Sequence, residues 1–247
     1  MLDLTKFQNP SPNLYIYEKW NWDYLEAELF QMQCVEYVQK NPHISIFIFC
    51  SHPHCFTMGR GLQKIKNSSV VLKEFDRNEI TPYPVFDIKR GGGLTFHYPG
   101  QIVFYPILSS LYHKIAVNDL MIKILEWTKK CLHPTLDFTH TLVRKDLLGL
   151  WFKNNFGEAK IASIGLAASR FVTYHGLALN LYNDPSMFES LRSFHPCGLP
   201  GEIYRDVETL TGSILEKSFR DGFVSDLTYG LTADLNQTFQ RDRENSM

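Results

Sequence analysis

The sequence lacks the features that would place this chain in a membrane or outside the cell. No apolar run approaches the roughly 20 residues needed to cross a bilayer. The first residues show no basic start followed by an apolar stretch, so we expect no signal peptide. The five cysteines are an odd number, which argues against a disulfide framework when no export signal is present. We therefore predict a soluble cytoplasmic protein, in the bacterial cytosol, with no membrane partner.

The chain also lacks an excess of charge of either sign. The formal net charge is -1 over 247 residues, so nothing indicates a nucleic-acid partner. The composition is 44% hydrophobic and 14% aromatic, which is typical of a globular domain with an ample core. No internal repeat or low-complexity linker divides the chain. We predict a polar N-terminal arm over 1–13, one domain over 14–240 and a frayed tail over 241–247.

The hydrophobic periodicity predicts a mixture of helices and strand clusters. Apolar residues recur at helical spacing in two segments, 22–38 and 118–131, and Asn118 is the expected cap of the second. Short apolar or β-branched runs predict strands, and turns between such runs predict a β-meander. Further helices are expected at Asp184, in the stretch "DVETLTG" and over 226–239. The expected strands are 44–49, 84–89 and 101–108, followed by the meander over 147–177. The fold class is α+β.

The glycine-rich stretch "RGGGLTFHYPG" follows the second predicted strand. Three consecutive glycines let backbone N–H groups converge on a ligand oxygen. Arg90 can add a fixed cationic fork, and His97 follows shortly after. No Lys-Ser/Thr pair follows the glycines and a strand comes next, so the stretch is neither a P-loop nor a dinucleotide fingerprint. A plain connection between strands remains an equal alternative from the spacing alone.

Lys160 and His175 stand out in the predicted meander. Lys160 begins the apolar run of "KIASIG", where loss of water would lower the pKa of its amine and make it available as a base. A strand-end lysine that reaches solvent is the alternative. His175 precedes a glycine in "TYHGLALN", and a half-buried histidine with satisfied hydrogen bonds is its favoured interpretation.

Cys197 lies in the irregular loop "FHPCGLPG". A free cysteine is usually a small buried hydrophobe, but such a residue belongs on a regular element, and loops are where functional residues tend to lie. A cation such as Lys160 nearby would lower the pKa of the thiol and make it a nucleophile. The cluster "CSHPHC" (50–55) offers zinc-ligand types, but its tight spacing argues against one tetrahedral site, so no metal is expected.

Four ordered stretches together resemble one enzyme family. They are "SHPHCFTMGRG", "RGGGLTFHYPGQIVFYPI", "KIASIGLAASRFVTYHGLALN" and "FHPCGLPG", and they resemble the signatures of the lipoyl(octanoyl) transferases of lipoate biosynthesis over roughly residues 14–217. The glycine turn alone is shared with lipoate and biotin ligases. The last two stretches separate this family from the ligases. One departure is Tyr98, where the family usually has glycine, and this residue bears on the choice of donor.

The resemblance implies the fold of the biotin/lipoate ligase catalytic module, a mixed or antiparallel central sheet flanked by helices. It implies a Cys–Lys acyltransferase without a cofactor, in which Cys197 holds the acyl group as a thioester and Lys160 acts as its partner. It also implies an acyl site on the glycine turn and on two facing strands. The residues of that site are Arg90, Gly91, Gly92, Gly93, Leu94, Thr95, Phe96, His97, Ser163, Ile164, Gly165, Gly176, Leu177 and Ala178.

The partners that the resemblance implies are proteins. The donor is octanoyl-acyl-carrier-protein, and the acceptors are lysines of lipoyl domains in 2-oxoacid dehydrogenase E2 subunits and of the glycine-cleavage H protein. Because acyl carrier proteins are acidic, Arg60, Lys64, Lys66 and Arg90 are expected on the docking face. Two alternatives remain open: an ATP-dependent lipoate or biotin ligase, and a non-catalytic protein that binds acyl carriers or lipoyl domains.

Overall fold

A large mixed sheet forms the centre of the protein. The computed structural model describes residues 2–60, 82–137, 139–155, 157–192 and 200–244. The strands are β1 Gln8–Ser11, β2 Leu14–Lys19, β3 Ser45–Cys50, β4 Cys55–Met58, β5 Val85–Asp87, β6 Leu94–His97, β7 Gln101–Ile107, β8 Thr141–Arg144, β9 Gly149–Asn154, β10 Gly157–Ser169 and β11 Val172–Asn180. The helices are α1 Tyr24–Lys40, α2 Val117–Leu132, α3 Pro185–Arg192, α4 Val207–Thr211 and α5 Lys217–Glu244.

Eight of these strands form one sheet in the order β1-β2-β3-β7-β11-β10-β9-β8. The pair β2–β3 is parallel, and the remaining pairs of this sheet are antiparallel. A smaller sheet has the order β5-β4-β6. The glycine turn connects β5 to β6 and so belongs to this smaller sheet. The turn therefore packs on the large sheet as part of a separate layer.

Helices cover both faces of the large sheet. Strand β3 shows how its period of two divides the core: Phe47 and Phe49 face the cluster that contains α2 and α5, whereas Ile46 and Ile48 face the cluster that contains α1. Each of these four side chains is fully buried. A third cluster joins the smaller sheet to α3. Burial on both faces explains why this strand reads as a continuous apolar run.

The α+β prediction is confirmed, with differences at several boundaries. Helix α1 begins two residues later than expected, with Asp23 as its N-cap, and the antiparallel meander is present as β8 to β11. The predicted cap at Asn118 is wrong, because α2 begins at Val117 and its N-cap, Ala116, makes no side-chain bond. The predicted arm contains β1, which pairs with β2.

The last helix is longer than the sequence pattern indicates. We expected a helix over 226–239, and α5 spans Lys217–Glu244. Part of the predicted tail is therefore helical, and its last three residues lie outside the described part of the chain. Within the described ranges, no helix combines the length and the apolar character that crossing a membrane requires.

Candidate active site

The glycine turn is held in place through its carbonyl groups. Gly92 has a φ of 79°, the left-handed conformation expected of this glycine run. The Gly93 carbonyl accepts a hydrogen bond from the Gly59 N–H at 3.1 Å, and the Arg90 carbonyl accepts one from the Arg60 N–H at 3.1 Å. A Cβ atom on Gly165 of β10 would lie 2.9 Å from the Gly91 oxygen. The turn therefore packs directly on β10, and only a glycine permits that approach.

Arg90 supports the turn from inside. Its side chain is buried and donates to the Thr57 carbonyl and hydroxyl, both at 3.1 Å, and to Thr95 Oγ1 at 2.6 Å. A second guanidinium nitrogen donates to the Gly91 carbonyl at 2.9 Å. The expectation that Arg90 lies on a docking face is therefore wrong, because its charge is used within the protein. Arg60 is exposed, and residues 64 and 66 lie outside the described residues.

His97 continues this hydrogen-bond network. Its Nε2 lies 3.2 Å from Thr57 Oγ1 and its Nδ1 lies 3.0 Å from Gln101 Oε1. The Gln101 oxygen is an acceptor, so Nδ1 carries the proton and Nε2 accepts from Thr57. Burial, with His52 and Arg90 nearby, holds the pKa of His97 well below its usual range. His97 is therefore a neutral ring whose two nitrogens bond within the protein, which suits orientation of the turn rather than proton transfer.

Two residues that the sequence patterns did not single out complete the network. Gln101 Nε2 donates to the Phe96 carbonyl at 2.9 Å and to Asn180 Oδ1 at 2.9 Å. Asn180 Nδ2 donates in turn to the Arg205 carbonyl at 3.3 Å. The sequence signal that could have identified these two residues is a polar residue at one end of each of two apolar strands. The network connects the glycine turn to the chain that follows the "FHPCGLPG" loop.

A cavity of about 360 Å³ lies between the turn and the sheet, within the size range of small-molecule sites. It brings together twelve of the predicted site residues, and it is bordered further by residues of α1, α2, β7 and the β8–β9 turn. The predicted residues that line it are Arg90, Gly91, Gly92, Thr95, His97, Lys160, Ser163, Ile164, Gly165, Gly176, Leu177 and Ala178. Most of the exposed wall is apolar, as an acyl chain requires.

Three predicted residues have other positions. Leu94 and Phe96 lie in the hydrophobic cluster between the smaller sheet and α3. They border a small recess next to the cavity rather than the cavity itself. Gly93 contributes the carbonyl that holds Gly59. Side chains alternate along a strand, so the run 94–97 presents only Thr95 and His97 to the cavity.

Lys160 lies on β10 with only 4% of its surface exposed. Its side chain crosses Gly149, where a Cβ atom would lie 2.6 Å from Lys160 Cε. The Nζ atom is 5.6 Å from the centre of the Trp151 ring and 6.0 Å from that of Tyr204. The structure therefore contradicts a lysine that reaches solvent and places the amine in the cavity wall.

Cys197 lies outside the described residues, as does the whole segment 193–199. The chain on both sides of that segment is described. Leu191, near the end of α3, and Tyr204 border the small recess together with Ser163 and Ala178, which also line the cavity. Tyr204 forms a bridge with Lys160, and the Arg205 N–H donates to the Lys160 carbonyl at 3.2 Å. A described residue on each side of that segment, Leu191 before it and Tyr204 after it, therefore lies beside the cavity.

Comparison with known proteins identifies the family. The profile of the family described as "Lipoyl protein ligase A/B catalytic domain" matches residues 23–209. An octanoyltransferase of Synechococcus elongatus is 32% identical over 72% of this chain and 70% of its own length. One of Cytophaga hutchinsonii is 31% identical over 84% of this chain and 85% of its own. The chain belongs to the octanoyltransferase family.

Other comparisons agree with this membership. The octanoyltransferase LIP2p2 of Arabidopsis thaliana is 34% identical over 72% of this chain and 58% of its own length. A lipoate-protein ligase A bound with ATP has a TM-score of 0.58 at 15% identity, with 89% of this chain and 85% of that chain covered. A bipartite lipoate protein ligase of Thermoplasma acidophilum has a TM-score of 0.57, also at 15% identity, with 88% of this chain and 83% of that chain covered. The ligases share the fold, and the sequence relatives indicate an acyltransferase of lipoate biosynthesis.

The four cysteines in the described part of this octanoyltransferase are buried. Burial raises the pKa of Cys34, Cys55 and Cys131 to about 12, and it also raises the pKa of Cys50. A thiol that stays protonated at neutral pH is a poor nucleophile. These residues have structural roles.

The histidines of "CSHPHC" also have partners within the protein. His52 Nδ1 donates to the Trp22 carbonyl and its Nε2 accepts from the Tyr105 hydroxyl, both at 2.8 Å. His54 Nε2 is 2.8 Å from Asp184 Oδ2, next to the start of α3. His52 therefore supports Tyr105, which lines the cavity, whereas His54 connects its loop to the start of α3.

Tyr98, the departure from the family pattern, points away from the cavity. Its ring is completely buried in the cluster that also holds Phe96, Met187, Leu191 and Tyr204. Its hydroxyl has no hydrogen-bond partner among the described residues. Tyr98 therefore fills the space under α3 and is not one of the residues that line the cavity.

Proposed function

We propose that this octanoyltransferase carries the acyl group on Cys197 and that Lys160 moves the protons. The observation that carries the proposal is the position of the two described flanks of segment 193–199. Leu191 and Tyr204 border one recess that opens beside the cavity, and Tyr204 is bridged to Lys160. The position of these two described residues beside Lys160 and the cavity is what supports the pairing of the thiol with the amine.

The cavity suits a medium-length acyl chain. Ile164, Leu166 and Leu177 provide an apolar surface, and burial of each methylene contributes about 0.8 kcal/mol. Gly91 and Gly92 are exposed at the same cavity, so their N–H groups are candidates to stabilise an oxyanion at the acyl carbonyl. In this arrangement one wall of the cavity recognises the acyl chain and the opposite wall activates its carbonyl.

The reaction proceeds in two balanced steps. In the first, Lys160 accepts the proton of the Cys197 thiol, and the thiolate attacks the thioester carbonyl of the donor. The donor's C–S bond breaks, and its sulfur takes the proton back from Lys160. In the second, the amine of an acceptor lysine attacks the acyl-Cys197 carbonyl. Lys160 accepts the amine proton and returns it to the Cys197 sulfur. Thioester exchange is nearly isoenergetic, so the first step needs no ATP.

Burial of Lys160 suits this role. Removal of water from an amine favours its neutral form, and the aromatic rings of Trp151 and Tyr204 line its surroundings. In the proposed step the Lys160 amine accepts the thiol proton, and the ammonium that results stabilises the thiolate at short range.

The partners of the proposed reaction are proteins with exposed, flexible acyl or lysine groups. The donor is octanoyl-acyl-carrier-protein, and the acceptors are lipoyl domains of 2-oxoacid dehydrogenase E2 subunits and the glycine-cleavage H protein. The proposed compartment is the cytoplasm. Arg60, exposed beside the glycine turn, is the described residue that we assign to the docking face for an acidic carrier.

Intact-mass measurement after mixing with octanoyl-carrier protein tests the proposal. We expect one octanoyl adduct on the wild type and none on Cys197→Ala, whereas Cys131→Ala, a matched control on α2, keeps the adduct. Lys160→Met should take up the acyl group at least about a hundredfold more slowly, because a general base contributes about 10²–10⁴ in rate.

Two results would contradict the proposal. If Cys197→Ala modified a lipoyl domain with octanoate and ATP, the chain would act as an ATP-dependent ligase. If the wild type gained no adduct and left the acceptor unmodified, a protein that only binds its partners would be the better description.

A further inference from the structure

Trp151 of β9 faces Lys160 of β10. The two residues are direct partners in this antiparallel pair, so their side chains lie on the same face of the sheet. The Lys160 Nζ atom is 5.6 Å from the centre of the Trp151 ring. An ammonium within about 6 Å of an aromatic ring centre is attracted by the negative face of the ring. The contact therefore favours the protonated form of Lys160 over its neutral form.

Strand β9 holds both partners of this contact in place. The Trp151 side chain is buried, and its Nε1–H donates to the Leu147 carbonyl at 2.9 Å. Leu147 belongs to the β8–β9 turn and lines the cavity. Two residues before Trp151, a Cβ atom on Gly149 would lie 2.6 Å from Lys160 Cε. Strand β9 therefore provides both the space that the lysine chain occupies and the ring beside its amine.

A group of four charged side chains near this ring is internally balanced. The Arg144 Cζ atom lies 5.0 Å from the ring centre, and its guanidinium pairs with Asp146 and, at 2.9 Å, with Glu158. Lys153 also pairs with Glu158, at 3.0 Å. The group contains two positive and two negative charges, so it adds no net charge near the amine. The ring is then a feature of this wall that distinguishes the two protonation states of Lys160.

The proposed reaction requires both protonation states of the Lys160 amine. In each step Lys160 takes up a proton, from the Cys197 thiol or from the acceptor amine, and then gives it up again. Burial penalises the protonated state, because an ammonium loses its water. An aromatic face offsets part of this penalty and supplies no oxygen that would hold the proton. A ring at this position therefore makes proton uptake by a buried amine less costly.

We propose that Trp151 is a positioning residue that orients the Lys160 amine in the cavity wall and stabilises its protonated form. This inference rests on the proposed function, in which Lys160 moves the protons. Trp151 itself does not line the cavity, so its effect on the reaction passes through Lys160. The rate of acyl uptake should therefore depend on the electron density of the indole ring.

The rate of octanoyl uptake from octanoyl-carrier protein, followed by intact mass, tests the proposal. We expect Trp151→Leu to slow uptake at least about tenfold, and Trp151→Phe, which keeps an aromatic ring, to stay within about threefold of the wild type. Trp127→Leu is the matched control. Trp127 also donates its Nε1–H, to Asp234 at 3.1 Å, and has a lysine, Lys130, 3.9 Å from its ring centre. It lies on α2 and does not line the cavity, so uptake should stay within about twofold of the wild-type rate.

Fluorinated tryptophan separates the charge of the ring from its shape. Fluorine withdraws electrons from the ring face and so weakens its attraction for a cation, with little change in size. Cell-free synthesis with a suppressor tRNA introduces 5-fluorotryptophan or 4,5,6,7-tetrafluorotryptophan at one chosen position. We expect the uptake rate to fall stepwise, by about threefold in total, when position 151 carries this series. The same series at position 127 should leave the rate unchanged.

Three results would overturn this inference and leave the proposed function in place. They are uptake by Trp151→Leu at the wild-type rate, a rate that does not respond to fluorination at position 151, and an equal response at positions 151 and 127. If Trp151→Leu does not fold, the fluorinated series decides, because it keeps the whole side chain. Failure of the wild type to take up octanoyl would overturn the proposed function and this inference with it.

Discussion

The two sides of the cavity contain similar buried polar residues but differ in how their hydrogen bonds are completed. On the side of the glycine turn, Arg90, Thr57, His97 and Gln101 bond to one another in a continuous network. On the β11 side, the Nε2 atom of His175 has no hydrogen-bond partner in the part of the chain that the structure describes. Both histidines are neutral, since burial lowers the pKa of each. Burial alone therefore does not indicate whether the hydrogen bonds of a histidine are completed within the described part of the protein.

The largest expected difference between the two sides is in stability. Gln101→Leu removes the partners of His97 Nδ1, the Phe96 carbonyl and Asn180. Each buried group left unpaired costs about 1–3 kcal/mol, so the free energy of unfolding should fall by about 3 kcal/mol or more. Gln31→Leu breaks the bond from the His175 N–H and also removes an amide nitrogen that has no partner in the described ranges, so its loss should be about 1 kcal/mol. Urea unfolding of both variants measures the contrast, and equal losses would contradict it.

The response to acid should sharpen the comparison. Burial lowers the pKa of His52 to about 4 and that of His175 to about 3. Both are neutral in the fold but take up protons in the unfolded chain below about pH 6.5. The contribution of each histidine to the free energy of unfolding is therefore intact above about pH 6.5 and decreases as the pH falls. For His52 the decrease reaches about 3 kcal/mol at pH 4.

Substitution by asparagine separates the two histidines in this experiment. His175→Asn should flatten the dependence of unfolding free energy on pH with little loss at pH 7.5, because its Nε2 has no bond to lose. His52→Asn should flatten the dependence and also lose stability at pH 7.5, because both of its ring nitrogens are bonded. Unfolding curves at pH 7.5, 6 and 5 distinguish these outcomes.

The smallest expected effect is at Tyr98. Its hydroxyl is buried with no hydrogen-bond partner in the described ranges, and it lies in the cluster under α3 rather than in the cavity. Tyr98→Phe should raise the free energy of unfolding by about 1 kcal/mol, since an unpaired buried hydroxyl is removed, and should leave acyl-length preference as it is. A destabilised Tyr98→Phe protein would show that the hydroxyl has a partner in solution.

Sequence patterns predicted the residues that meet at the cavity better than they predicted how those residues work. The turn 90–97 was accessible because a run of glycines marks close backbone approach, whereas the strand positions Ser163, Gly165 and Gly176 came from the resemblance to the family. The burial of Arg90 was not accessible, because an arginine before a glycine run reads as a cation that faces a ligand. Its actual partners, Thr57 and Thr95, come from different strands of the smaller sheet.

The short strands and the backbone conformation of His175 show a second limit of prediction from sequence. Strands β4 and β6 have four residues each, too few for a clear alternation. His175, with a φ of 58°, lies opposite Pro106 of the neighbouring strand and donates its N–H to Gln31 of α1, and neither residue is close to it in sequence. Such features depend on which strands become neighbours, and local pattern does not carry that information.

The bond from Gln101 to Asn180 joins positions 79 residues apart in the chain, and this separation has a consequence for folding. Contacts between distant positions form late, because loop closure must precede them. The walls of the cavity can therefore be completed only after β11 has docked beside β7, late in the assembly of the domain. A partly folded or unfinished chain would therefore lack the organised cavity that the complete molecule has.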